Sequence, residues 1–168
     1  MLAAAVVIYA CAMTLANLLI AHFGPWFSPI NAFVLIGLDL ALRDALHVRL
    51  SGRQMLALIL ASGALTYALN PSAQHIVVAS AAAFTLAALV DWRVFAALGG
   101  TWLRRSIGSN AVGAVVDTVV FSTLAFIVLS PAPKPLEVVA QIAALQFAAK
   151  VAGGALWALA MNRWLRVA

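Results

Sequence analysis

The sequence predicts an all-α integral membrane protein, a single bundle of six transmembrane helices with both termini in the cytoplasm. Three observations predict it. Of its 168 residues 65% are hydrophobic and only 9% charged, with a mean hydropathy of +1.07. A soluble domain is nearer half apolar and a quarter charged, so the solvent this chain suits is lipid. The apolar residues fall into six stretches separated by turn-forming residues. The basic residues gather in alternate gaps between those stretches.

A membrane span needs about 20 mostly apolar residues, and the stretches fit at 2–21, 29–46, 54–69, 75–98, 109–129 and 136–161. The first lacks a basic leader and is long enough to span, so it reads as a retained helix rather than a cleaved signal. Gly24, Pro25 and Pro29 break the chain before the second span, and Ser51 and Gly52 before the third. Asn70 and Pro71 end the third, which is the shortest. Gly99 and Gly100 end the fourth, and Pro131, Pro133 and Pro135 separate the fifth from the sixth. Within the sixth, Gly153 and Gly154 mark close helix packing or a flex point. No internal repeat is evident.

Arg49 and Arg53 lie in the second gap, Arg104 and Arg105 in the fourth, and Arg163 and Arg166 at the C-terminus. The first and third gaps hold no Lys or Arg, and the fifth only Lys134. With six spans the basic gaps share the side of both termini, which the positive-inside rule assigns to the cytoplasm. Trp26 then belongs to the outer interface, Trp92, Trp102 and Trp164 to the inner one, and Trp157 slightly deeper. The net charge of +5 is topological information, and no basic patch points to nucleic acid. One cysteine, Cys11, excludes an internal disulfide, and no His, Cys and carboxylate set has metal-ligand spacing.

The informative residues are ionisable ones inside the apolar stretches. Placing such a charge at bilayer depth costs about 2.5–3.5 kcal/mol on insertion scales, so it marks a site or pathway by default. At 1.5 Å per residue, Asp39, Asp117 and Lys150 lie about 10, 12 and 16 Å from the inner ends of the second, fifth and sixth spans. They share a layer, and the partner of Lys150 is either Asp117 or Asp39, with Asp117 favoured. Arg43 and His47 follow Asp39 at one-turn intervals and form a stripe toward the inner face. Gln146 precedes Lys150 by one turn, Gln141 lies higher on the same helix, and Asn17, Asn31 and Asn110 add amides on other spans. Single amides of this kind commonly serve as helix–helix hydrogen bonds. Arg43, Asp44 and His47 are near enough to the inner interface to snorkel. His22 and His75 read as loop-edge residues, and Asp91 with Arg93 as a capping or topological pair.

Two aspartates on different membrane helices faintly resemble intramembrane aspartyl proteases. The glycine-rich pattern those enzymes carry around the second aspartate is missing, and Lys150 opposes carboxylate sharing. No Walker A loop is present, so the chain does not itself hydrolyse ATP. No cofactor is called for, and the chain is not expected to be an enzyme.

Taken with their surroundings, these residues resemble the VUT family, the YhhQ-type queuosine precursor transporters of bacteria. In NAFVLIGLDLALRD, Asp39, Leu40 and Arg43 match the family's Asp-Leu and following Arg. In DWRVF, Asp91, Val94 and Phe95 match, and in SNAVGAVVDTVVF, Gly113, Asp117, Thr118 and Phe121 match. Lys150 in QFAAKV and Asn17 in the first helix complete the pattern. The chain departs from relatives at Ala114, where some carry Asn, and at Gln146, where an acidic residue stands. It also lacks a later proline and is shorter than many relatives.

The resemblance implies import of 7-cyano-7-deazaguanine (preQ0) or its aminomethyl relative (preQ1) across the bacterial inner membrane. It also implies a fold distantly like the six-helix substrate-binding components of energy-coupling-factor transporters. A deazaguanine offers adjacent N–H donors beside a carbonyl, which a carboxylate and a Lys, Asn or Gln complement. The expected binding set is Asp117, Lys150, Asp39, Gln146, Arg43 and Asn17, with Gln141, Asn31 and Asn110 in support and Phe121, Phe147 or Trp157 stacking on the ring. The partners expected are the nucleobase-like substrate and the bilayer; a homo-oligomer is compatible with the sequence. The alternatives are a binding component for another vitamin-like heterocycle that needs a separate energising complex, an aspartyl protease, and a bundle without transport.

Overall fold

The fold is known from a computed structural model, which describes residues 2–47, 49–70 and 74–165, without the side chains of residues 47 and 163–165. Expectations for Pro71 and Arg166, and for the side chains of His47, Arg163 and Trp164, therefore lie outside the described residues. Those residues form helices and no strand. Helix α1 covers Leu2–Phe23. Helix α2 is a continuous run over 28–47, α-helical at Ser28–Asn31, a π turn at Ala32–Ile36, then α-helical again over Gly37–His47. Helix α3 is Gly52–Leu69 and α4 is Gln74–Ala97. Helix α5 runs from Trp102 to Thr123 and continues through a second π turn, Leu124–Val128. Helix α6, Leu136–Leu165, is the longest.

Five of these are long and apolar enough to cross a membrane: Leu2–Phe23, Pro25–Leu46, Gln74–Ala97, Trp102–Val128 and Leu136–Asn162. The chain is thus a multi-pass, all-helical membrane protein. The Gly52–Leu69 helix is not among the five. It begins with Arg53 and Gln54, and at 1.5 Å per residue its 18 residues reach about 27 Å, just short of a hydrocarbon core.

Local chemistry sets the helix ends. Gly24 (φ 80°) and Gly100 (φ 100°) turn the chain through conformations that side chains with a Cβ rarely adopt. Ser51 and Gln54 form a reciprocal capping box, Ser51 Oγ accepting from the Gln54 N–H while Gln54 Oε1 accepts from the Ser51 N–H. Thr101 caps α5 by accepting from the Arg104 N–H. Beyond the second π turn, the prolines at 131, 133 and 135 keep the chain non-helical, and the Lys134 N–H closes back onto the Phe126 carbonyl at 2.9 Å.

Packing closes the helices into a ring in the order α1, α3, α4, α5, α6, α2. The outer surface is apolar, with Val7, Leu15, Leu60, Val78, Leu89, Val119, Leu145 and Leu156 among many exposed large side chains. The interior is rich in polar groups: Thr14, Asn17, Asn31, Asp39, Arg43, Asp44, Asp91, Asn110, Asp117, Gln146 and Lys150 are all buried. That inversion suits a lipid-solvated bundle around a polar centre. Where α2 crosses α6 the backbones touch. A Cβ built on Gly153 would lie 2.1 Å from the Phe33 carbonyl oxygen, and one on Gly37 would lie 2.6 Å from the Gly153 carbonyl carbon. The expectation of close packing at Gly153–Gly154 is met at this crossing.

Candidate functional site

Lys150, 2% exposed, meets three acceptors. Its Nζ lies 2.7 Å from Asp117 Oδ2 and donates to Thr118 Oγ1 at 3.1 Å and to Gln146 Oε1 at 3.2 Å. An ammonium carries three donors, so all are used. Helical spacing explains the set. Gln146 stands one turn before Lys150 on α6, and Asp117 and Thr118 are neighbours on the facing α5. The lysine is held taut between two helices.

A small cavity opens beside this pair. Its lining includes Asn17 from α1, Asn31 from α2, Phe84 from α4, Asp117 and Phe121 from α5, and Gln146 and Lys150 from α6. Several of these polar groups have no partner. Asn31 Nδ2 donates to the Ala16 carbonyl at 3.2 Å while its Oδ1 accepts nothing, and Asn17 Nδ2 and Gln146 Nε2 donate to nothing. The cavity thus presents two free amide donors, a free acceptor and an ion pair, with the rings of Phe84 and Phe121 beside them. Its free volume is about 20 Å³, room for about one water. A flat bicyclic molecule would enter only with outward displacement of side chains or helices.

Asp39 and Arg43 do not line this cavity. They form their own ion pair, Arg43 Nη2 to Asp39 Oδ2 at 2.6 Å, one helical turn apart and fully buried. Arg43 Nε and Nη1 have no partner, and its guanidinium carbon lies 5.5 Å from the centre of the Phe84 ring, which the cavity shares. Tyr9, also fully buried, is within electrostatic range of both Asp39 and Arg43, and Asp117 within range of each as well. The depth arithmetic that put Asp39, Asp117 and Lys150 in one layer thus describes two adjacent pairs.

Nearer the chain termini lies a third polar group. Ser106 Oγ donates a short hydrogen bond to Asp44 Oδ2, and Asn110 Nδ2 donates to Ser106 Oγ at 3.2 Å. Asp91 is completely buried, its Cβ 3.3 Å from where a Cβ on Gly113 would stand. This corrects two expectations. Arg43 and Asp44 do not snorkel, since both are 0% exposed, and Asp91 does not pair with Arg93, which faces outward. An aspartate at a helix end next to an arginine looks like a cap; what buries Asp91 is the missing side chain at Gly113 on the neighbouring helix.

The remaining candidates divide. Asn17, Asn31, Asp117, Phe121, Gln146 and Lys150 come together at the cavity, while Asn110 belongs to the third polar group. Gln141 and Phe147 are turned outward on α6. Trp157 is also on the outer surface, where its indole N–H donates to the Val34 carbonyl in the α2 π turn at 3.0 Å. Trp102 is buried against Ala41 and Ala158 instead of joining an interface belt, whereas Trp26 and Trp92 are exposed. Sequence reasoning gave no role to Ser28, Ser80 or Phe84 in the lining. For Thr118, adjacency to Asp117 was the available signal.

No curated protein and no solved structure matches the chain. A family does: residues 1–161 match the one described as "Putative vitamin uptake transporter". With nearly its whole length matched, and with a multi-pass helical bundle closed around a polar cavity, the chain belongs to the vitamin uptake transporter family.

Proposed function

We propose that this protein imports a 7-deazaguanine precursor of queuosine, preQ0 or preQ1, across the inner membrane of a bacterium. The observation that carries the proposal is the cavity whose ion pair is internally satisfied while its amides are not. A guanine-like heterocycle carries its own donors and acceptor on one edge and a π face on either side. Asp117, with Lys150 held on its other oxygen, accepts from that edge, and Gln146 and Asn17 donate to the carbonyl. Phe121 and Phe84 flank the ring. The residues matching the family's pattern, Asn17, Asp117, Thr118, Phe121 and Lys150, stand at or beside the cavity.

Because the cavity in its present form admits about one water, loading requires opening of the bundle. Rocking of helices about a central site is the usual transporter solution. In the orientation set by the positive-inside rule, both termini are cytoplasmic, and the cavity, lined by Ile20, Ser28 and Ser80, lies in the outer half of the bundle.

The test is uptake of radiolabelled preQ0 and preQ1 in cells lacking their own synthesis and transport. Cells expressing the wild type accumulate the base; Asp117→Ala and Lys150→Ala reduce uptake to background while the protein still reaches the membrane. Normal uptake by both variants removes the site, and uptake only of a different heterocycle overturns the substrate. Transport by the purified protein in liposomes separates a self-sufficient carrier from a binding component that needs an energising complex.

A further inference from the structure

Four of the five acidic residues, Asp39, Asp44, Asp91 and Asp117, are buried in the bundle, against two buried cations among the described residues, Arg43 and Lys150. Both cations are already ion-paired, Arg43 with Asp39 and Lys150 with Asp117. Asp44 and Asp91 are left with no cation bonded to them among the described residues. They stand on different helices, α2 and α4, against one helix, α5, where Asp44 bonds Ser106 and Asp91 packs on Gly113, and the two carboxyls interact electrostatically. Two ionised carboxylates hold only acceptors and repel one another, and a proton shared between them removes that repulsion. With both ionised, two negative charges buried in the bundle would have within electrostatic range, of the described cations, only Arg43, already paired with Asp39.

The groups hydrogen-bonded around Asp44 are neutral. Asp44 Oδ2 accepts from Ser106, but Asp44 Oδ1 and both oxygens of Asp91 have no donor. Asn110, 3% exposed, gives its amide nitrogen to the same Ser106 and leaves its carbonyl oxygen unpartnered, one more acceptor without a donor. Against the pair stand Arg43 on α2 and Ser106 on α5, with Asn110 bonded to Ser106 and, beyond Arg43, the Tyr9 hydroxyl of α1. The side chain of His47, one turn beyond Arg43, lies outside the described residues.

We propose that Asp44 and Asp91 form a proton-binding site, and that its occupancy is linked to transport through Arg43. This rests on the transport function proposed above. Arg43 bonds Asp39 through Nη2 alone, keeps Nε and Nη1 free, and is within electrostatic range of Asp91, whose oxygens are both free. Loss of the proton from the pair leaves a carboxylate that draws Arg43 away from Asp39. Because the guanidinium faces the Phe84 ring, and Phe84 lines the cavity, that shift reaches the substrate site. The proton dissociates as H⁺ and the carboxyl becomes carboxylate; no other reactant is involved.

The experiment has two arms on the full-length protein. The first is infrared spectroscopy of the purified protein at neutral pH, which detects a protonated buried carboxyl by its C=O stretch without any substrate. The band is expected in the wild type and absent in the double variant Asp44→Asn, Asp91→Asn; its absence from the wild type overturns the proton site. The second is uptake of radiolabelled preQ0 into proteoliposomes under imposed gradients. If one proton accompanies each neutral substrate, accumulation follows the pH gradient at about tenfold per unit. Asp91→Asn removes that dependence but retains exchange of internal for external base. Wild-type uptake indifferent to the pH gradient, or driven instead by a sodium gradient, overturns the linkage. Failure of the wild type to exchange the base at all counts against the transport function, and the infrared arm still decides the proton site.

Discussion

Lys150 and Asp117 stabilise one another chiefly because neither tolerates being alone. Bringing an ammonium and a carboxylate out of water is costly, and their mutual attraction roughly offsets it, so removal of one partner exposes the whole penalty of the other. Lys150→Met is therefore expected to destabilise the protein by about 3–5 kcal/mol, because it leaves the buried Asp117 carboxyl without its cation. Adding Asp117→Asn to Lys150→Met restores most of that stability, because the charge is gone and the shape is kept, yet uptake stays at background. Thermal unfolding in detergent, run beside the uptake assay, separates the two effects. A double variant that remains as unstable as Lys150→Met would show that the pair is not the source of the loss. At this scale the sequence was legible where a residue's cost is intrinsic: a lysine inside an apolar helix announces a partner, and the depth arithmetic reduced the choice to two aspartates. It was not legible where burial depends on a neighbouring helix. Nothing near Asp91 in the chain says that Gly113 will stand against it, and Phe147, next to inward Gln146 and one turn from Lys150, lies so close to the polar face that only packing settles its outward turn.

At the scale of the helices, the α2–α6 crossing positions the site. Gly37, Gly153 and Gly154 let the two backbones meet without side chains between them, and this contact fixes how far Lys150, one turn before Gly153, stands from α2. Small residues at such crossings are the usual means of close approach in membranes, where lipid gives no hydrophobic push. The π turn at Ala32–Ile36 lies against the same contact, and Trp157 donates to its Val34 carbonyl. A π turn displaces carbonyls from their regular partners, so a donor supplied from the adjacent helix keeps α2 in this form. Gly153→Ala should therefore destabilise the bundle by about 1–3 kcal/mol, the usual overpacking cost, although alanine is the better helix former by about 1 kcal/mol. Thermal unfolding in detergent measures the sign directly, and a stabilised Gly153→Ala protein would contradict the contact. The glycine pair was legible in the sequence as a packing point, but the two π turns were not. Both fall in stretches rich in Phe, Leu, Val and Ile, with no proline or polar residue inside them to signal a register change.

At the scale of the molecule, the topology depends on α3. The gaps rich in arginine share one face only if Gly52–Leu69 crosses the bilayer, because five crossings would put the two chain termini on opposite sides. Hydropathy alone leaves α3 out of the spanning set. Its place in the ring argues for a full crossing: it packs along α1 on one side and α4 on the other, and Thr14 of α1 donates to the Ser62 carbonyl at 3.4 Å midway along it. Its capping box and Arg53 stand at one end, and Asn70 closes the other. A helix slightly short of the hydrocarbon thickness is accommodated by local thinning or by snorkelling of its flanking residues, at fractions of a kcal/mol per Å. The arrangement predicts a labelling pattern. Cys11 is the only cysteine, so Cys11→Ala gives a cysteine-free background into which single cysteines can be introduced. In cells, a membrane-impermeant maleimide should label Lys134→Cys from outside. It should leave Arg53→Cys and Arg104→Cys untouched until the membrane is permeabilised. Labelling of Arg53→Cys and Lys134→Cys from the same side would mean that an even number of crossings, α4 and α5 without α3, separates Arg53 from the loop after α5. The six-span ring would then have to give way to a five-span arrangement with α3 lying at the interface.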